Sequence, residues 1–187
     1  PKSSRREASA DAACELFLEQ GYEHTSIADI ATRAGVSRSS FFNYFSTKAD
    51  VLWGGFDERV ASAVGALAGD HEPVRSALLG IGVGLAPDSL ALAIANAETM
   101  GAAEELERDR ALRHARIARA VADRVVRSGT PSLEADVHGA AAAGAVLAAV
   151  WAWANSGPGR TDLATLLDRA LAAVPQLEGR VRQLRLV

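Results

Sequence analysis

Residues 37–48 of this 187-residue chain bring together several groups that bond to phosphates and heterocyclic bases. Arg38 offers a guanidinium. Ser37, Ser39 and Ser40 offer hydroxyls, Asn43 a carboxamide, Tyr44 a phenol and Lys48 an ammonium. An arginine fork bonds a guanine edge bidentately or holds a phosphate, and hydroxyls and ammonium groups reach phosphate oxygens. The chemistry is that of contact with a nucleic acid, provided rigid elements hold these side chains on one face.

The surrounding residues predict such elements. Ser26 is placed to cap a helix, with Asp29 as its reciprocal capping partner. Ile27, Ile30 and Ala31 then recur at helical spacing. Ala34-Gly35-Val36 breaks the helix in a tight turn, where glycine takes a positive φ. Ser37 caps a second short helix from Arg38 to about Tyr44. Two helices joined by a short glycine-containing turn make a helix-turn-helix, whose second helix enters the DNA major groove. Thr25, Ser26, Ser37, Arg38, Ser39, Ser40, Asn43, Tyr44 and Lys48 are therefore the expected DNA-binding set. Phe41 and Phe45 are expected in the core.

Upstream stand Ala12-Ala13-Cys14-Glu15-Leu16-Phe17, Gly21-Tyr22 and Thr25-Ser26; downstream stands Tyr44-Phe45-Ser46-Thr47-Lys48. In this order and spacing, residues 5–52 resemble the TetR family of one-component transcriptional regulators. Two positions depart from the pattern: Ser39-Ser40 replaces the commoner Gly-Thr or Gly-Ala, and Ser46 replaces the usual proline. The resemblance implies an all-α protein of about nine helices. Residues 1–47 would form a three-helix DNA-binding domain, and 48–187 a helical effector-binding and dimerisation domain. It further implies a homodimer on a palindromic operator, most simply a repressor released by a small, largely apolar effector. Trp53-Gly-Gly-Phe56-Asp57 also resembles members of the family with acyl-CoA-like effectors. The competing reading is an enzyme or carrier that uses a helical cavity and has no DNA-binding role.

Composition agrees with helices. The chain is 49% hydrophobic, rich in alanine and poor in aromatics, and no stretch alternates convincingly at strand length. Its net charge of −3 argues against bulk electrostatic binding to nucleic acid, and residues 1–50 are not basic overall. Affinity would require Arg5, Arg6, Arg38 and Lys48 to gather on one face, with the acids turned away. The sole cysteine, Cys14, lies on an apolar stripe and excludes an intramolecular disulfide or a CxxC site. Four scattered histidines carry no metal spacing. Gly80-Ile81-Gly82-Val83-Gly84 lacks the strand and spacing of a phosphate loop. No nucleophile-elbow motif or paired-carboxylate signature stands out, so neither an enzyme, a metal nor a cofactor is expected. The N-terminal residues do not read as a signal peptide. The uncharged run Gly139–Ala154 is shorter than the roughly 18 residues of a span. A cytosolic protein without a membrane partner is the expectation.

Beyond residue 47, Thr47 with Asp50 should start a long helix that links the two domains. Further helices are expected from Pro73, from Pro87-Asp88 to about Thr99, from Ala103 to Ser128, from Thr130-Pro131 to about Asn155, and from Thr161 to Pro175. A basic tail covers Arg180–Arg185. Trp53, Phe56, Leu78, Ile81, Leu85, Ile94 and Met100 are expected to line an effector cavity, with Arg113 and His114 as polar contacts. Ala140, Gly144, Leu147, Trp151, Leu163 and Leu167 are expected at the dimer interface.

Overall fold

The computed structural model describes residues 2–85, 88–157 and 161–174. Pro87 and Pro175, Pro158-Gly159 and the basic tail lie outside the described residues. Every element is helical: α1 (Lys2–Gln20), α2 (Ile27–Arg33), α3 (Arg38–Phe42), α4 (Asp50–Ala68), α5 (Val74–Leu79), α6 (Ser89–Ala95), α7 (Ala97–Met100), α8 (Ala103–Arg127), α9 (Ser132–Ala154) and α10 (Leu163–Ala172).

The tenth helix arises at Asn96, where a single helix was expected. There the backbone leaves helical geometry (φ −121°) and the side chain donates to the Leu92 carbonyl at 2.8 Å. Asparagine favours such local bonds over helix continuation. α3 is also shorter than expected, ending at Phe42. The linker helix starts at Asp50, yet the expected cap is present: Thr47 Oγ1 accepts the Asp50 amide at 3.1 Å, and Asp50 accepts the Thr47 amide at 2.9 Å.

α1–α3 close over Ala13, Leu16, Phe17, Tyr22, Ile30, Phe41 and Phe45, all buried. Phe17 meets Tyr22, and Phe41 meets Phe45, with ring centroids 5.0 and 5.2 Å apart. The same apolar cluster continues through α4 into the larger helical body. α1 packs on α4, α6 and α7. The Tyr22 amide donates to the Met100 carbonyl at 2.7 Å, joining the small domain to the body main chain to main chain.

α8 and α9 form the most extensive helix pair, and α10 packs on α9 and α5. Gly139 permits the α8–α9 approach: a Cβ there would lie 2.3 Å from the Ala118 carbonyl oxygen. The glycine-rich 80–84 segment ends α5. Gly82 sits so close to α10 that a Cβ would come within 2.7 Å of Leu167. Among the described residues, one helix, α9, is long and apolar enough to cross a membrane by length and composition. Half of its most apolar stretch is buried within the protein.

Candidate functional site

The two short helices are fixed by their own caps. Ser26 Oγ accepts the Asp29 amide at 3.1 Å, and Asp29 accepts the Ser26 amide at 2.8 Å. The Ser26 hydroxyl also donates to the Asp29 carboxylate at 2.7 Å, and this bond, with that from the Ser26 amide, holds the carboxyl below the usual carboxylate range. Gly35 takes φ +66°, and the Val36 amide bonds back to the Ala31 carbonyl at 2.9 Å, closing the end of α2. Ser37 Oγ then accepts the Ser40 amide at 3.1 Å and opens α3.

This geometry leaves Ser26, Ser37, Arg38, Ser39 and Asn43 exposed, with Ser40 and Tyr44 half-buried. Phe41 is fully buried. Its neighbour Phe42 is 46% exposed, under the guanidinium of Arg38 at 5.8 Å. Sequence reasoning placed Phe41 and Phe45 in the core and passed over Phe42. The signal was present, because residues i and i+1 on a helix point to different sides.

Two expected DNA contacts are corrected. Thr25 is 2% exposed and donates to the Gly21 carbonyl at 2.8 Å, so its hydroxyl serves the α1–α2 corner. Lys48 Nζ donates to the Tyr22 carbonyl at 2.5 Å and lies 3.8 Å from the Tyr22 ring centroid. Burial there lowers the Lys48 pKa, because the charged form is partly desolvated. Arg6 is likewise engaged, by Glu58 of α4 and the Phe45 ring. Arg33 pairs with Glu19 at 2.8 Å and Glu15 at 3.2 Å, and its hydrogen bonds hold the Glu19 carboxyl low. Among the described cationic side chains around the helix-turn-helix, Arg5 and Arg38 have neither an ion pair nor a hydrogen bond.

The expected effector residues divide. Trp53, Phe56, Leu78, Ile81 and Met100 are fully buried in close-packed core, and Ile94 is nearly so. Packed side chains occupy the expected cavity between α4 and α8 in this conformation. Leu85 instead lines an open cleft of about 460 Å³ between α4 and α5, beside Arg59, Ala63 and Ala77. His114 lies on the far side of α8, with Nε2 3.1 Å from the Ala140 carbonyl of α9.

Arg113 does lie against Trp53, its guanidinium 4.1 Å from the ring centroid. It bonds Asp57 bidentately, at 2.9 Å from Nε and 2.6 Å from Nη2. Asp109 stands beside it, 3.7 Å from Nη1, and burial raises its carboxyl pKa despite that charge. The Asp109–Arg113 pair was readable from its i, i+4 spacing. Asp57 lies on another helix and gave no such signal.

The dimer set is corrected as well. Leu147, Leu163 and Leu167 are buried within the chain, where α9 and α10 pack on each other and α10 packs on α5, so they cannot face a partner. Ala140 is exposed, and Gly144 and Trp151 are half-buried. With Leu133, Val137, Ala148 and Ala152 they form one stripe along α9.

Helices α1–α3 therefore make a capped helix-turn-helix module joined through α4 to a helical body, the architecture of a one-component regulator. Residues 10–52 match the family described as "Bacterial regulatory proteins, tetR family", so the chain carries a DNA-binding module of that family. It is 38% identical over 58 residues to the regulator MftR of Mycobacterium tuberculosis, covering 31% of this chain and 29% of that one. It is 35% identical over 54 residues to the fatty acid metabolism regulator protein of Bacillus subtilis, covering 29% and 28%. Each match thus spans under a third of the curated relative. Over nearly the whole length, the chain is similar to the Thermus thermophilus repressor FadR, solved in complex with lauroyl-CoA. Identity is 26%, coverage 97% and 98%, and the TM-score 0.52.

Proposed function

We propose that the protein is a ligand-responsive transcriptional repressor of the cytosol that binds a palindromic operator as a homodimer. The observation that carries this reading is the α2–α3 pair. Reciprocal caps and the Gly35 turn hold α3 rigidly, with Arg38, Ser39, Phe42 and Asn43 turned outward. Arg38 reads a guanine or holds a phosphate, and the exposed Phe42 ring suits apolar contact with a thymine methyl. Ser37 and Tyr44 position the backbone.

The α9 stripe supports the dimer. From Val137 to Asn155 the sequence has no Asp, Glu, Lys or Arg, yet Leu133 and Val137 are 75% and 58% exposed. Small residues along the stripe let a second α9 approach closely. Twofold symmetry then sets two α3 helices roughly 34–36 Å apart, or a multiple of that distance, for successive major grooves.

A small, largely apolar effector releases the DNA by binding more tightly to a conformer in which α3 is wrongly spaced. The buried Trp53 and Phe56 of α4, the helix entering the body from α3, are where such a ligand would act. Selection of bound sequences from a random DNA pool, followed by a metabolite screen for release, tests the whole reading. Recovery of no symmetric sequence would overturn it.

A further inference from the structure

The core between α4 and α8 contains a polar assembly that packing alone does not require. Among the described residues, three buried side-chain polar atoms lack a hydrogen-bond partner: Trp53 Nε1, Asp109 Oδ2 and Arg124 Nε. Two of the three meet at Arg113. Asp57 takes both of its oxygens' bonds from that arginine. The remaining donor, Nη1, bonds the main-chain carbonyl of Asp109 at 3.1 Å and leaves the carboxylate 3.7 Å away. Two carboxylates thus share the Arg113 guanidinium. Native structures rarely leave such buried groups unsatisfied; a water, an ion or a ligand completes them.

Aromatic faces surround it. Trp53 and Trp151 stand 5.9 Å apart, each with a guanidinium over it: Arg113 on Trp53 and, at 4.5 Å, Arg110 on Trp151. Trp153 apart, these are the tryptophans of the chain. Trp53 is fully buried, whereas Trp151 is half-buried, so the pair links the α9 stripe to the orphaned atoms. Both ring faces already hold cations, the partners that aromatic quadrupoles attract.

We propose that the effector is a lipophilic amine that binds a conformer in which this packed core has opened, its ammonium completing Asp109 while its apolar body lies against Trp53, Phe56 and Trp151. A hydroxyl or ether oxygen beside the amine would also accept the Trp53 indole proton, making an amino alcohol the best-matched head group. An anionic head would meet Asp57 and Asp109 with one arginine between them, and like charges in a desolvated site are strongly disfavoured. This inference rests on the ligand-gated reading above and deepens it. It also separates this chain from the repressor solved with lauroyl-CoA.

The test is calorimetric titration of the full-length protein with octylamine, octanol and octanoate, which share one apolar body, and with lauroyl-CoA. Octylamine should bind at least about tenfold more tightly than octanoate. Asp109→Asn should abolish that preference while leaving octanol binding and the circular dichroism spectrum unchanged, and Asp109→Glu should restore it. The proposal is overturned if octylamine does not bind, if octanoate or lauroyl-CoA binds more tightly, or if Asp109→Asn keeps the amine preference. Operator release, measured alongside on selected DNA, separates the two levels. Release by lauroyl-CoA alone overturns the head-group assignment and keeps ligand gating. Octylamine binding without release keeps the site and removes gating by it.

Discussion

The salt dependence of operator binding follows from the pairing of the cations. Of the described cationic side chains near the helix-turn-helix, Arg6, Arg33 and Lys48 are engaged inside the protein, leaving Arg5 and Arg38. A dimer then offers four free cations, and Lys2, at the start of α1, adds at most two. Each neutralised phosphate contributes about −0.9 to the slope of log K against log salt, so the slope should be about −4 to −5. Arg38→Ala removes one cation from each protomer and should reduce the slope by about two, with a loss of about 1–3 kcal/mol per half-site if the side chain reads a base. Lys48→Ala should leave the slope unchanged and lower thermal stability, because the Tyr22 carbonyl loses one of its two donors and the Tyr22 ring its cation. The assay is fluorescence anisotropy on a selected operator across a sodium chloride series. A wild-type slope steeper than about −8, or a slope change in Lys48→Ala equal to that of Arg38→Ala, would refute the reasoning.

Phe42→Ala should weaken operator binding in a folded protein, whereas Phe41→Ala should cost about 3–5 kcal/mol of stability; denaturant melts beside anisotropy distinguish them. Ala148→Glu places a charge on the α9 stripe and should yield monomers by analytical ultracentrifugation with native helicity. Cys14, whose thiol is pushed up to about 12 chiefly by burial, should resist iodoacetamide at pH 8 until the chain is unfolded. The raised Asp109 pKa means that the folded state holds that proton more tightly than the unfolded chain, so its ionisation opposes folding as pH rises. Asp109→Asn should therefore gain stability over wild type at neutral pH. The difference should vanish in acid, below the ordinary carboxylate range, in urea melts at stepped pH.

Much of the DNA-binding domain was legible because its determinants are local. Ser26 with Asp29, Gly35, and Ser37 with Ser40 each act within a few residues, and caps and turns are written at that range. The commitments of Arg33, Arg6 and Lys48 were not legible, since their partners lie 14 to 52 positions away along the chain. The face of α9 failed for a different reason. Alanine, glycine and valine occur all around that helix, so apolar character does not mark which side turns inward. Leu147 was read onto the outer stripe with Gly144 and Trp151 on that account. The expected effector cavity was drawn from residues that are indeed neighbours, such as Trp53 and Phe56, at 5.9 Å between ring centroids. Apolar type alone cannot separate residues that line a space from residues that fill it.

The bond between the Tyr22 amide and the Met100 carbonyl uses no side-chain atom. A main-chain joint makes little demand on residue identity, so substitution at either position leaves donor and acceptor in place, proline at position 22 excepted. The small domain can therefore keep its attachment while the body behind it diverges. Such a connection suits recombination: a head of this kind can be grafted onto a different sensory body if the loop after α1 and the corner after α7 keep their backbone paths. The identity shared with the curated regulators spans under a third of each chain.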